Sequence, residues 1–417
     1  MNKTRTPNLL RLATLAAVAV LCLTARVPAA DDDLRQQVLQ LNSINGTDQI
    51  NAKVREWVKD KERVEKRLKT AEEILKSDPK AIKYNGASIL ARVSAGQKNY
   101  DLSLKFFKLC KELALTLKSS NKLTEAFEGQ IAILFQMKKF DDAEKLCQEF
   151  LEAQGDENLE KIKPFVMEQQ IELKTKQGKI QEALKLTDRL IELDEGGWYF
   201  VKLKGLVLHE AGKNEESAAA YHEALEKVEK AERLKEEERQ KWADDIRYIL
   251  SNVYVEMDKV DKSAELLKEL LKKHPNYPAY LNDLGYIWAD HDQNLDESEK
   301  LIRKALDEDR KLRKEKKDLP EEGNVDKAEY LDSMGWVLFK KKKYAEAKRF
   351  LLDATKDKER GQHIEILDHL ADVHMALGEK AEAIAVWKKA LAGDANTKRE
   401  LKKHDEVEKK LKAVEKK

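Results

Sequence analysis

Residues 328–354 read AEYLDSMGWVLFKKKKYAEAKRFLLDA, with Gly335 in the first half and Tyr344, Ala347, Leu351 and Ala354 in the second. Residues 364–391, IEILDHLADVHMALGEKAEAIAVWKKAL, repeat the arrangement. Ala371 precedes Ala383 by 12 residues, as Gly335 precedes Ala347, and Ala390 follows by 7, as Ala354 does. A small residue is what two helices need where their axes cross closely, and the larger residue four later (Leu351, Trp387) fills the gap beside the crossing. Each stretch therefore predicts helices packed through small side chains.

The same frame runs backwards along the chain. Its central small residue falls at Ser103, Ala143, Ala183, Ser217, Ser263, Ser298, Ala347 and Ala383, at spacings of 40, 40, 34, 46, 35, 49 and 36. Four residues later stand Phe107, Cys147, Thr187, Tyr221, Leu267, Ile302, Leu351 and Trp387; seven later stand Cys110, Phe150, Leu190, Ala224, Leu270, Ala305, Ala354 and Ala390. In the first helices Gly205, Ser251, Gly285, Gly335 and Ala371 occupy the crossing. The pattern resembles the 34-residue tetratricopeptide repeat over about three quarters of the chain. Residues 199–394 match well. Residues 82–193 are degenerate, with Ile131 and Ile171 where a small residue is expected, although Lys139-Phe140-Asp141-Asp142-Ala143 and Gly178 through Ala183 keep the turn-and-helix signature. Pro275, twelve beyond Ser263, matches the proline that closes a repeat.

The resemblance implies an all-α fold: a right-handed superhelical solenoid of about eight antiparallel helix pairs, whose units bury their apolar faces only by stacking. The expected organisation is a signal peptide over 1–29, an N-terminal helical segment over 30–80, degenerate repeats over 81–198, well-matched repeats over 199–395 and a capping helix over 396–417. Within 30–80 a turn is expected at Asn45-Gly46-Thr47 and a stop at Asp78-Pro79. Residues 226–240 read as a charged extension of a second helix, and 307–327 as an insertion with Pro320 and Gly323 at its tip. In the tail, Leu401, Val407, Leu411 and Val414 form one narrow apolar stripe.

Composition agrees. Charged residues make up 38% and aromatics 6%, and the 16 Gly and 7 Pro are too few for a turn-rich β fold. The first 30 residues carry Lys3, Arg5, Arg11 and Arg26 and no acid; without them 75 bases face 78 acids. That near-neutrality gives no electrostatic footing for nucleic acid. Leu12 to Leu23 is an apolar run of twelve, and Val27-Pro28-Ala29 fits a cleavage site, so an exported, periplasmic or secreted protein is expected. Twelve residues fall short of the roughly 20 a membrane span requires. The Leu21-Cys22 pair does not fit a lipoprotein signal. Cys110 and Cys147 fall on apolar faces and read as buried free thiols.

Phosphate loops, nucleophile elbows and metal-spaced cysteine pairs do not occur, so neither an enzyme nor a cofactor is expected. Glu365, His369 and Asp372 share a helix face and could ligate a metal, which leaves a metal or hydrolytic site near His369 as an alternative. The expected role is a non-catalytic scaffold that binds a peptide segment or partner protein in a concave groove, within a cell-envelope complex. A structural spacer with an inert groove is the remaining alternative. In the family register, helix-A positions 2, 5, 9 and 12 face the groove. In the last three units these are Ala279, Asn282, Tyr286 and Ala289, then Glu329, Asp332, Trp336 and Phe339, then Glu365, Asp368, Asp372 and Met375. Tyr286 and Trp336 follow the crossing glycines and serve either inter-repeat packing or peptide contact. Five acids and no base at these positions predict a basic or neutral extended partner. Relatives that clamp acidic chaperone tails use Lys and Asn; Asn252 sits at one suitable position, but Tyr248 stands where a Lys is needed and Asp283 where the second Asn belongs, so that ligand is not carried over.

Overall fold

The computed structural model describes residues 29–194, 197–315, 325–393, 395 and 398–416. The expected leader up to residue 28, and Pro320 and Gly323, lie outside these residues. The described residues form helices and turns with no strand among them. The chain divides into two compact units, 1–186 and 187–417.

Unit 1 begins with α1 (Ala29–Gln40), α2 (Thr47–Lys59) and α3 (Lys61–Ser77). Gly46 precedes α2 at φ 84°, where a side chain would strain the backbone, so the expected turn forms there. A break at Asp60, which the sequence reading did not separate, splits 47–77 into two helices. The Arg67 guanidinium fixes that corner. It donates to Asp60 and to Gln37, both at 3.0 Å, and lies 4.8 Å from the Trp57 ring centre. The repeats follow as α4 (Tyr84–Gly96), α5 (Tyr100–Thr116), α6 (Ser120–Gln136), α7 (Phe140–Glu152), α8 (Glu157–Lys176) and α9 (Ile180–Leu193), within which the division falls.

Unit 2 continues with α10 (Trp198–Glu210), α11 (Asn214–Glu229), α12 (Glu236–Glu256), α13 (Val260–Lys273), α14 (Pro278–Asp290), α15 (Leu295–Glu315), α16 (Ala328–Lys340), α17 (Tyr344–Ala354), α18 (Ile364–Ala376), α19 (Lys380–Leu391) and α20 (Lys398–Glu415). Two expectations change. The charged stretch 226–240 does not extend a second helix: α11 stops at Glu229, and α12, a first helix, starts two turns early at Glu236, where Glu238 caps the Lys235 amide. The insertion at 307–327 begins as helix, because α15 runs on to Glu315; Arg310 and Arg313 on its last turns both grip Asp326 at 2.6 Å.

Each first helix (A) meets its second (B) through the same turn. A residue with positive φ stands at Lys98, Lys138, Gly178, Gly212, Asp258, Asp292, Lys342 and Gly378. The next residue's amide then reaches back five residues, as in Asn99 to Ser94, Lys259 to Tyr254 and Lys343 to Leu338, which satisfies a carbonyl at the end of helix A. Three of these eight residues are glycine; the others hold a side chain in the left-handed region at some energetic cost. Replacing Lys98, Lys138 or Lys342 by Gly is therefore expected to stabilise its repeat by about 0.5–1 kcal/mol, read as a higher urea midpoint.

The central, plus-four and plus-seven columns are buried at every repeat. Ser103 and Ser217 donate to the carbonyls of Ala91 and Gly205 across the crossing, at 2.9 and 2.8 Å. A Cβ added at Gly205 would lie 3.0 Å from the Tyr221 ring, and one at Gly335 2.5 Å from Leu351 Cγ. Helix A's crossing residue thus abuts the plus-four residue of its own helix B. That contact explains the degenerate repeat at Ile131: Ile131 is followed sixteen residues later by Cys147, whereas Gly205 is followed by Tyr221 and Ala371 by Trp387. The large and small partners have exchanged helices, and the pair keeps roughly the same volume. Cys110 and Cys147 are free and buried, and burial pushes the Cys147 thiol up to about 12.

Candidate functional site

The A helices of unit 2 (α10, α12, α14, α16 and α18) carry the register positions expected to meet a partner. They divide into a stretch with open side chains and a stretch filled from within.

The open stretch lies on α10 and α12. Tyr199 and Leu206 remain 37% and 44% exposed. Tyr199 meets Trp198 and Phe200 edge-on, and Trp198 packs 5.1 Å from Trp242 on the early turns of α12. Lys202 holds its ammonium 5.0 Å from the Trp242 ring centre. Burial pushes its pKa down, only partly offset by Asp245. Asn252 is exposed. Of these residues the sequence points only to Asn252, as a position suited to the chaperone-tail clamp, although register positions 2, 5 and 9 of α10 and α12 would also have found Tyr199, Lys202 and Leu206.

The filled stretch contains the residues that were singled out. Asn282 is buried on α14 and donates to Asp283 at 3.2 Å. Asp283 accepts from the Tyr248 hydroxyl at 2.6 Å, so the two residues that depart from the chaperone-tail clamp bond to each other. Burial raises the Asp283 pKa against the pull of Tyr248 and Asn282. On α16, Trp336 is buried, donates from Nε1 to Asp290 at 2.9 Å, and stacks on Phe339 and on His369, with ring centres 4.9 and 4.0 Å apart. Half-buried Tyr286 stands 6.3 Å from the His369 ring. Asp332, buried beneath this stack, pairs with His369 Nδ1 at 2.8 Å. Glu329 is exposed and lies 3.8 Å from Arg360.

On α18, Asp368 is wholly buried. It accepts from Trp387 Nε1 at 2.9 Å and from Lys403 and Lys410 of α20, both at 2.8 Å. Asp372 accepts from Lys410 at 2.7 Å. Burial would raise the Asp368 pKa, but the two ammonium groups outweigh it and hold the carboxyl below the usual range. Burial, with Asp368 beside it, raises Asp372. Half-buried Glu365 contributes to the field that raises Lys403.

The five acids therefore do not present bare negative charge. Bases reach them from His369, Arg360 and α20, none of which occupies a groove position in the register. Glu365, His369 and Asp372 do not converge either, since His369 faces Asp332 and Trp336 while Asp372 faces Lys410. Among the described residues, no group of three or more His, Cys, Asp or Glu side chains is placed to hold a metal ion. No described helix is long and apolar enough to cross a membrane. A cleft of about 850 Å³ opens beside the first turns of α12, but its charges pair within the wall: Arg239 with Glu236, Arg247 with Glu229, and Lys273 with Asp244.

The His369–Asp332 pair sets a pH dependence. Burial alone would depress the imidazole pKa, but the Asp332 carboxylate outweighs it and the folded value rises above 6.5. Its stabilisation is complete below about pH 6.5 and is lost as pH rises through the raised folded value. The urea midpoint of unit 2, read by tryptophan fluorescence, is expected to fall across that window, and His369→Gln to remove the slope.

Residues 170–232 and 250–312 match the tetratricopeptide repeat family. Among solved structures, the chain is similar to a tetratricopeptide repeat protein from Parabacteroides merdae ATCC 43184, at 14% identity and a TM-score of 0.45, covering 72% of this chain and 98% of that one. It is similar also to a thermophilic TPR protein of Thermus thermophilus, at 16% identity and a TM-score of 0.38, covering 52% and 98%. No curated protein matches the chain.

Proposed function

Because this chain carries tetratricopeptide repeats, we propose that it works as a non-catalytic scaffold whose A-helix face in unit 2 receives a segment of a partner protein. The observation that carries this reading is the contrast along that face. Tyr199 and Leu206 stay exposed beside a cluster of half-buried aromatics, while equivalent positions further on are packed. Exposed aromatic and aliphatic side chains flanked by polar ones suit a partner's apolar anchor, with Lys202 and Asn252 at hand for its backbone or charge. Tyr286, Phe339, Glu329 and Glu365 continue the face as half-buried or exposed positions. Export through the leader, and work within a cell-envelope assembly, complete the proposal; both rest on the sequence of residues 1–29.

The test is capture from envelope extract with three full chains: wild type, Tyr199→Ala/Leu206→Ser, and Leu352→Ser on helix B. One protein enriched by wild type and by the Leu352 variant, but lost by the A-face variant, supports the reading. Equal recovery by all three ends it and favours the inert spacer.

A further inference from the structure

We infer that the α18–α19 surface of the last repeat is a receptor for a basic amphipathic helix of a partner, and that α20 is its resident, displaceable occupant. This deepens the reading above and rests on it, since it assigns a ligand chemistry to the last repeat, where the groove positions Asp368 and Asp372 join a surface shared with α19.

The occupant defines what the site accepts. Lys403 and Lys410 stand seven residues apart, two turns on one helix face, with Val407 between them and Leu411 alongside. The lysines reach Asp368 and Asp372, while Val407 and Leu411 are buried among Ile364, Leu367, Ala371, Ala383 and Trp387. A matching ligand is a helix with two cations spaced by seven residues around an aliphatic pair. Charge complementarity is specific, because wholly buried Asp368 takes three donors and needs them. A permanent cap could be held as well by apolar side chains; a buried carboxylate that must be met by two cations selects which helix may dock.

The apolar hold of α20 is narrow, and the contacts of Glu400 with His363, His404 with Leu391 and Glu415 with Lys388 that supplement it are polar. Only Val407 and Leu411 of its apolar stripe are fully buried, Val414 is half-buried, and Leu401, expected on that stripe, is 55% exposed, because a residue six before Val407 lies roughly a third of the way round the helix from it. Both lysine side chains remain half-buried, within reach of water and salt. A partner helix with better apolar cover and the same cations can take the place of α20.

The test uses the full chain and a fluorescein-labelled synthetic peptide of residues 398–415, followed by anisotropy. In wild type α20 competes; in Lys403→Glu/Lys410→Glu the resident is repelled. The peptide is expected to bind the variant at least about tenfold tighter than wild type, because the competent state is no longer scarce. A peptide with Glu at both lysine positions is expected to bind neither chain. Equal affinity for both chains, or no binding to either, overturns the inference. If circular dichroism shows the variant unfolded, Lys403→Gln/Lys410→Gln replaces it. In wild type, excess peptide should also speed amide exchange within α20, and unchanged exchange overturns the inference independently. Failure here leaves capture through Tyr199 and Leu206 untouched, so the two readings fall separately.

Discussion

Gly335→Val is expected to lower the stability of unit 2 by about 3 kcal/mol, near the upper range for overpacking a well-filled core. The new Cβ would stand 2.5 Å from Leu351 Cγ, and Leu351 is itself buried, with nowhere to retreat. The urea midpoint read by tryptophan fluorescence reports it well, because Trp198, Trp242, Trp288, Trp336 and Trp387 lie in unit 2 and only Trp57 lies in unit 1. Leu351→Ala alone should also destabilise, by about 2–4 kcal/mol, through the cavity it leaves. The double variant should recover at least about 2 kcal/mol relative to the sum, since each change supplies the space or volume the other lacks. Simple additivity would sink the exchange rule for crossing residues. Gly361→Ala serves as the contrast. Its Cβ would collide with the main-chain oxygen of Ala354, an obstacle that no side-chain replacement relieves.

Asp368→Ala should cost about 3–5 kcal/mol. It strands the Trp387 indole N–H inside the core and leaves Lys403 and Lys410 pointing into a surface without their common acceptor. Asp372→Ala, whose carboxylate is half-buried and takes only Lys410, should cost less than about 1 kcal/mol. The pH profile separates them further. The folded Asp368 pKa is depressed, so its contribution is present above about pH 3.8 and is lost as pH falls through the lower folded value. Wild type should therefore lose stability at the acid end more steeply than Asp368→Ala. Parallel curves for the two chains would show that the carboxylate does not carry this ion cluster.

The repeats were legible because their determinant is local and periodic. A small residue, a larger one four later and a third seven later mark one helix face, and every such position is buried. The weakness assigned to the early repeats came from reading one column at a time. Ile131 looks wrong until it is read with Cys147, sixteen residues on, and only the contacts at Gly205, Gly285 and Gly335 reveal that the two columns touch. The partner-facing residues were less legible. Register placed Asp332, Asp368 and Asp372 on the inner face, but whether a position there is open depends on what arrives from elsewhere. Lys410 is 42 residues from Asp368, and Trp336 bonds to Asp290 46 residues before it. No periodicity within one helix encodes such pairings. The open residues, Tyr199 and Leu206, lie outside the three repeats to which the register was applied.

The volume exchange between crossing partners bears on how such an array can change over generations. Each A–B pair is matched to itself, bulky on one side and slight on the other. A genetic crossover that joined helix A of the Ile131 repeat to helix B of the Tyr221 repeat would put two bulky side chains in one crossing. The opposite join, Gly205 with Cys147, would leave a hole. Duplication and deletion of repeats are therefore tolerated where the breakpoint falls after a helix B, and selected against where it falls in the tight turn between A and B. The unit of inheritance in this chain is the matched helix pair.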